Sequence, residues 1–386
     1  MYNYNEMTAD SRQQTADSRQ RVLYVDFLKV IAAFGVITIH VGATGWYVQP
    51  DYSWNWQIMN MWQGIFRWPV PLFVMISGMF NIKNYDIDQP VKTGIIKVLK
   101  KIFHIYCALI FWTIFYNIFI PIISGHNIKE FFANPSGFLN IRKIITYPYK
   151  AIDGNSWFHL WFLYMIIGLY ILTPVIKIFV SNCKKIYLEY LLLVFFIFGA
   201  GVPFYNFVNS LKGIPLLPSK INISLPELSG YVGYYIAGYY FANYKMPKKA
   251  EYILYALGVL SAVFTIWGTS FISVKTNNLN QTLLLPITPH IMLETFAVFV
   301  FFKNIFHKIA LPVFFNKIIT NMGKCSFGIY LIHVFMITFV NSFFGICWYT
   351  FNPIISVPII CVLVFLLSYL VTFIISKVPI LKRYVI

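Results

Sequence analysis

Charge is what this chain has least of. Only 11% of its 386 residues are Asp, Glu, Lys or Arg, while 59% are hydrophobic. A soluble domain carries about 25% charged residues, so the scarcity excludes an ordinary soluble globule and points to an integral membrane protein. Acidic residues are scarcer still, 13 against 30 lysines and arginines, for a net charge of +17. No basic surface interleaved with spaced aromatics occurs outside the apolar runs, so no nucleic-acid partner is expected. The five cysteines, Cys107, Cys183, Cys325, Cys347 and Cys361, are scattered. None forms a CxxC or metal-type cluster, so neither a disulfide framework nor a bound metal is expected. A cleavable signal peptide is not expected either, because the first apolar run is too long and no small-residue cleavage site follows it.

What the chain has instead is a series of long apolar runs. Ten are long enough to span a bilayer as helices, near 22–43, 62–81, 101–123, 157–177, 188–205, 228–244, 252–272, 283–302, 324–344 and 353–376. The predicted fold is therefore an all-α bundle of about ten transmembrane helices, since helices satisfy every backbone group within the segment. Pro286 and Pro289 lie near the start of the eighth run and predict a break there. Residues 1–21 are polar and hold a tandem heptad, Thr8–Gln14 followed by Thr15–Arg21. No apolar seam runs through it, so a disordered tail is expected ahead of a membrane domain over 22–386. The basic residues set the orientation. With the N-terminus in the cytoplasm, 22 of the 30 lysines and arginines fall on the cytoplasmic side, and the bias recurs in each loop pair. Both termini are then cytoplasmic, and the longer loops near 44–61, 124–156 and 206–227 lie outside. Trp46, Trp54, Trp56 and Trp62 in and beside the first of these read as interface anchors.

Chemistry concentrates in the first run. Asp26 and Lys29 stand at its beginning, and His40 follows eleven residues after Lys29. A carboxylate, an amine and an imidazole in such a run are costly and each needs a physical reason. Eleven helical residues make about three turns, so Lys29 and His40 share a face, roughly 16 Å apart along the axis. They cannot touch each other, but they can touch two ends of one long molecule. Imidazole is the side chain best poised to take a proton near neutral pH. The alternatives are plain: a core histidine bonded to a neighbouring helix, and an Asp26/Lys29 interfacial ion pair.

The Asp-x-x-Lys-x10-His pattern resembles the Asp-x-x-Arg-x10-His signature of the membrane acyltransferase-3 family. Three further stretches are similar to that family's motifs, in order: Val70-Pro71-Leu72-Phe73-Val74-Met75-Ile76-Ser77-Gly78; His159-Leu160-Trp161-Phe162-Leu163-Tyr164 with Pro174; and Phe327-Gly328-Ile329-Tyr330-Leu331-Ile332-His333. The resemblance covers residues 22 to about 376, and Trp46-Tyr47 after His40 looks most like the enterobacterial-common-antigen O-acetyltransferase branch. With the chain ending at the last span, no fused periplasmic hydrolase-like domain is expected.

The resemblance implies a multi-pass protein of the inner or plasma membrane. It implies acyl transfer from cytoplasmic acetyl-CoA, as co-substrate, to a hydroxyl of a surface polysaccharide or its lipid-linked precursor, with no metal. His40 is then the candidate base, or itself the carrier of the acyl group. Lys29 stands where the family has arginine, which keeps the charge and loses the planar fork. Lys97, Lys100 and Lys101 match the family's Arg-x-x-Arg pair and are candidates to hold the phosphates of CoA as point charges. The alternative for these lysines is topology signal beside anionic headgroups. Asp26, Ser77, His159 and Trp161, drawn from the family's motifs, are candidate substrate contacts.

On the outer side, Arg67 could stabilise an oxyanion or pair with Glu294, and Glu294 could orient His40. Each of these, with His159, His290 and His333, also reads as a structural contact between helices. Rival functions remain open: another acyl donor such as succinyl on an exopolysaccharide, a glycan or lipid transporter, and a structural partner in an envelope assembly.

Overall fold

The computed structural model describes residues 4–48, 52–83, 91–124, 146, 156–211, 227–309 and 311–386; the side chains of 4–22, 83, 91–92 and 227–229 lie outside the description. Every regular element among the described residues is helical. In chain order they are α1 (Tyr4–Trp46), α2 (Trp54–Ile65), α3 (Pro69–Lys83), α4 (Val91–Ser124), a 3-10 turn at Phe158–Leu160, α5 (Trp161–Asn182), α6 (Lys185–Val194), a π-helical turn at Phe195–Gly201, α7 (Val202–Ser210) and α8 (Glu227–Asn243). There follow α9 (Lys248–Thr276), a 3-10 turn at Thr282–Leu284, α10 (Pro289–Phe306), α11 (Val313–Phe344), α12 (Pro353–Ile375) and the short α13 (Pro379–Tyr384).

Among the described residues, nine helical segments are long and apolar enough to cross a membrane. The remaining expected run, near 228–244, forms α8, which at 17 residues is too short to count with them. The second segment is not one straight helix. It runs from Trp54 to Ile82 and is interrupted at Phe66–Trp68, where Pro69 begins α3 because its ring cannot sit in the interior of a helix. The expected break near Pro286 and Pro289 is present: Thr288 is extended and Pro289 starts α10. The π-helical turn precedes Pro203, whose missing N–H leaves the carbonyl four residues back without its usual partner. The tandem heptad falls within the bounds of α1. Its backbone continues α1 back to Tyr4, and the stretch holds no proline or glycine that would stop a helix.

The bundle is built around α1, which packs against α2, α3, α10, α11 and α12. Val25, Leu28, Ala32, Val36 and Ile37 recur at helical spacing and are buried. Small residues set how closely neighbours approach. A methyl group at Gly78 of α3 would stand 1.9 Å from the Tyr235 carbonyl oxygen of α8, and one at Gly238 of α8 would stand 1.9 Å from the Met75 carbonyl oxygen. The two backbones therefore touch, as small residues allow in membrane helices. Gly323 of α11 meets Asp26 of α1 in the same way, 2.7 Å from its Cβ.

Not all the loop tryptophans are interface anchors. Trp46 and Trp56 are buried and stacked at 5.8 Å, and the Trp56 indole N–H donates to the Trp46 carbonyl at 3.2 Å. Their area is spent inside the fold, while Trp54 stays exposed.

Candidate active site

Three helical elements bring three histidines together in the apolar interior. His40 comes from α1, His159 from the 3-10 turn before α5, and His333 from the middle of α11. The ring centroids stand 5.0 Å apart for His40–His333, 5.4 Å for His159–His333 and 6.5 Å for His40–His159. His159 and His333 are sealed, at 2% and 0% exposure, whereas His40 is half-buried with Phe158 5.4 Å away. The polar accounting is unusual for so buried a place. Neither ring nitrogen of His159 has a hydrogen-bond partner, and Nε2 of His333 has none. Each such group costs about 1–3 kcal/mol. The cluster is thus held at a local cost in stability. No group of three His, Cys, Asp or Glu side chains among the described residues is arranged to hold a metal ion.

Tyrosines fasten this cluster. Tyr330 donates its hydroxyl to the His159 carbonyl, which ties α11 to the turn before α5. Tyr116 of α4 donates to the Leu331 carbonyl at 2.7 Å and accepts from the Phe335 N–H at 3.4 Å. Those two groups would join each other in an undisturbed helix, so Tyr116 inserts into the ladder of α11 beside His333. Its ring also lies 4.8 Å from that of His159.

Arg67 sits in the interruption between α2 and α3, and is half-buried. Its Nε donates to the Gln63 carbonyl at 3.0 Å, and its Nη2 donates to the Gln63 side-chain oxygen. Gln63 in turn donates to the Ile39 carbonyl at 2.7 Å, one residue before His40. Gln63 is the piece that sequence reasoning missed; nothing in its local pattern distinguishes it from an interfacial glutamine. Arg67 is near enough for its charge to be felt at His40.

Glu294 differs from expectation. It is 5% exposed with Oε2 unpartnered, and it forms no ion pair with Arg67 within 4.0 Å. The imidazole nearest His40 belongs to His333.

At the other end of α1 a cavity of about 540 Å³ opens. Its wall includes Lys29, Ser77, Asn81, Lys100, Lys101 and Tyr330. Lys29 bonds Asp26 at 3.2 Å, as the i, i+3 spacing predicts, and Asp26 itself is buried against Gly323 instead of facing the cavity. Lys101 donates to the Asn81 side chain, Asn81 to Ser77 Oγ at 3.0 Å, and Ser77 to the Tyr170 hydroxyl at 3.3 Å. Lys97, one turn before Lys101 on α4, is exposed and does not line the cavity. Trp161 is also outside it; its ring is exposed and packs 5.9 Å from Tyr231. Tyr330 belongs to both places. It lines the lysine cavity, and its ring lies 6.1 Å from His159 and 6.0 Å from His333.

A helical bundle whose segments are apolar enough to cross a membrane, with a lysine-lined cavity and a buried imidazole cluster inside it, is a multi-pass membrane protein, with a lipid bilayer as its surroundings. Comparison with known families gives the class of chemistry. Residues 22–373 match the acyltransferase domain Acyl_transf_3, and the chain belongs to that family, which supports a membrane acyltransferase. No curated protein and no solved structure matches the chain.

Proposed function

We propose that the protein is an O-acyltransferase that moves an acetyl group from acetyl-CoA to a hydroxyl of a surface polysaccharide or its lipid-linked precursor. The observation that carries this reading is the position of Tyr330, whose one side chain faces both the lysine cavity and the histidine cluster. Lys29, Lys100 and Lys101 supply cationic groups at the far wall, suited to the phosphates of the donor. The cavity is within the usual range for a small-molecule site, about 300–1,000 Å³. A larger cavity, about 720 Å³, is also basic, with Lys245, Lys303 and Lys308 in its wall. None of the three clustered histidines lines either cavity, but the lysine cavity has Tyr330 in its wall, whose ring neighbours His159 and His333, and the larger one does not.

The donor supplies an acyl group activated as a thioester. His40, half-buried among sealed neighbours, is the group placed to take the proton of an acceptor hydroxyl. The hydroxyl oxygen then bonds the acyl carbon, the carbon–sulfur bond breaks, and the proton held by His40 passes to the leaving sulfur. His159 stands beside this position, its ring 6.5 Å from that of His40, and its ring N–H is suited to the oxygen that gains charge during attack. Arg67, steadied by Gln63, adds positive field at His40. Lysines gather at the cavity end of α1, on the side assigned to the cytoplasm by the charge bias, so His40 faces the acceptor from the outer side.

The test is transfer of label. Membranes containing the protein, given radiolabelled acetyl-CoA, should place label on glycan, and His40→Ala should not. Label that crosses sealed vesicles without appearing on glycan would favour a transporter and overturn the reading.

A further inference from the structure

The three histidines are not equivalent, and hydrogen bonding separates them. His333 Nδ1 lies 2.5 Å from the carbonyl oxygen of Tyr330, in its own helix. A carbonyl only accepts, so that ring nitrogen carries a proton and donates it. In neutral imidazole the second nitrogen is then bare, which makes His333 Nε2 an acceptor. That atom is buried and has no partner within the protein. Of the two imidazoles beside that ring, His40 is the nearer, with centroids 5.0 Å apart against 5.4 Å for His159. At 5.0 Å two imidazole nitrogens turned toward each other come to about 2.7 Å, within hydrogen-bond range. In the structure the rings are tilted at 39° and the bond is not made. The second torsion of histidine is broad, so a rotation of the half-buried His40 ring completes it at little cost. Catalytic hydrogen bonds are often completed only when substrate is present.

We propose that His333 is the positioning residue for His40: its bare Nε2 accepts the N–H of His40, and so leaves the other His40 nitrogen unprotonated and aimed at the acceptor hydroxyl. This rests on the reading of His40 as the base. A base needs its second nitrogen held so that the correct one is free, the service a carboxylate gives in serine hydrolases. Here a neutral imidazole gives it. When His40 takes the hydroxyl proton, both of its nitrogens carry hydrogen; the bond to His333 persists and the imidazolium is stabilised by an acceptor in a low-dielectric site. The proton then leaves to the thioester sulfur, and His333 neither gains nor loses one. Tyr116 holds the backbone of α11 on either side of His333, at the Leu331 carbonyl and the Phe335 N–H, and Tyr330 ties the same helix to the turn that carries His159.

The proposal separates two substitutions that remove the same ring. In His333→Leu no acceptor remains, and kcat for acetyl transfer should fall about 10- to 100-fold, part of the 10²–10⁴ a positioned base supplies. The acetyl-CoA KM, and CoA binding measured directly by equilibrium dialysis, should not change. In His333→Gln the amide N–H can donate to Tyr330 and its oxygen can accept from His40, so most of kcat should return. Wild-type kcat in His333→Leu, or equal losses in the two variants, overturns the proposal. A second reading does not require either variant to fold: ring-15N NMR of histidine-labelled wild-type protein should find His333 neutral and protonated at Nδ1. Protonation at Nε2 overturns it. Failure of the underlying reading looks different, because His40→Ala would then retain transfer.

Discussion

His290 and His333 are both buried histidines on apolar helices, and they meet opposite surroundings. His290 Nε2 lies 2.9 Å from the Leu283 carbonyl and 3.2 Å from Thr288 Oγ1, with the rings of Phe204 and Phe264 at 5.6 Å and 5.2 Å. Those bonds join the 3-10 turn at Thr282–Leu284 to the start of α10. His333, with His159 beside it, leaves ring nitrogens sealed and unpartnered. A buried polar group without a partner costs about 1–3 kcal/mol, and a network left half-satisfied is worse than an apolar core. His290 therefore reads as structure. The cluster around His40 reads as a place where the protein gives up local stability to keep polar atoms available, which is how reactive sites differ from packing.

The comparison can be broken or sharpened by substitution. The largest effect is expected for His40→Ala: transfer of labelled acetyl groups to glycan should fall at least about 100-fold, the low end for a general base. Membrane insertion, followed by fractionation and protease protection, should be unchanged. His333→Leu comes next, with the kcat loss and glutamine rescue already described. Replacing Lys100 and Lys101 together by alanine should raise the acetyl-CoA KM about tenfold, equivalent to about 1.4 kcal/mol, with a smaller change in kcat. The smallest effect is expected at the satisfied histidine. His290→Leu should leave kcat and both KM values at wild-type levels while lowering thermal stability in detergent by about 1 kcal/mol. A loss of kcat in His290→Leu matching that in His333→Leu would erase the distinction between the two.

Much of the fold was legible because long apolar runs are a direct signal. Spans one, three, four, nine and ten appear as α1, α4, α5, α11 and α12. The interruption at Phe66–Trp68 was not, since Pro69 alone does not say whether a run bends or merely begins there. Nor was the extent of α1, whose polar heptad has no hydrophobic period to mark it as helix.

At the candidate site, Lys97, Lys100 and Lys101 were grouped by spacing as donor contacts, with Lys29 proposed on the first span; Lys29, Lys100 and Lys101 line one cavity. Lys97 falls outside it. His40 was legible from its spacing to Lys29; its neighbour was not. His333 lies 293 positions further along the chain, and its tautomer depends on a carbonyl three residues before it in its own helix. No pattern of residue types encodes that bond.

The most direct measurement is acetyl transfer by purified protein in proteoliposomes, with labelled acetyl-CoA on the side of the lysine cavity and a hydroxyl-bearing glycan acceptor on the other. Wild-type protein should move label across and onto the acceptor, while His40→Ala should bind CoA equally well and transfer none. Transfer by the His40→Ala protein at the wild-type rate would contradict the account.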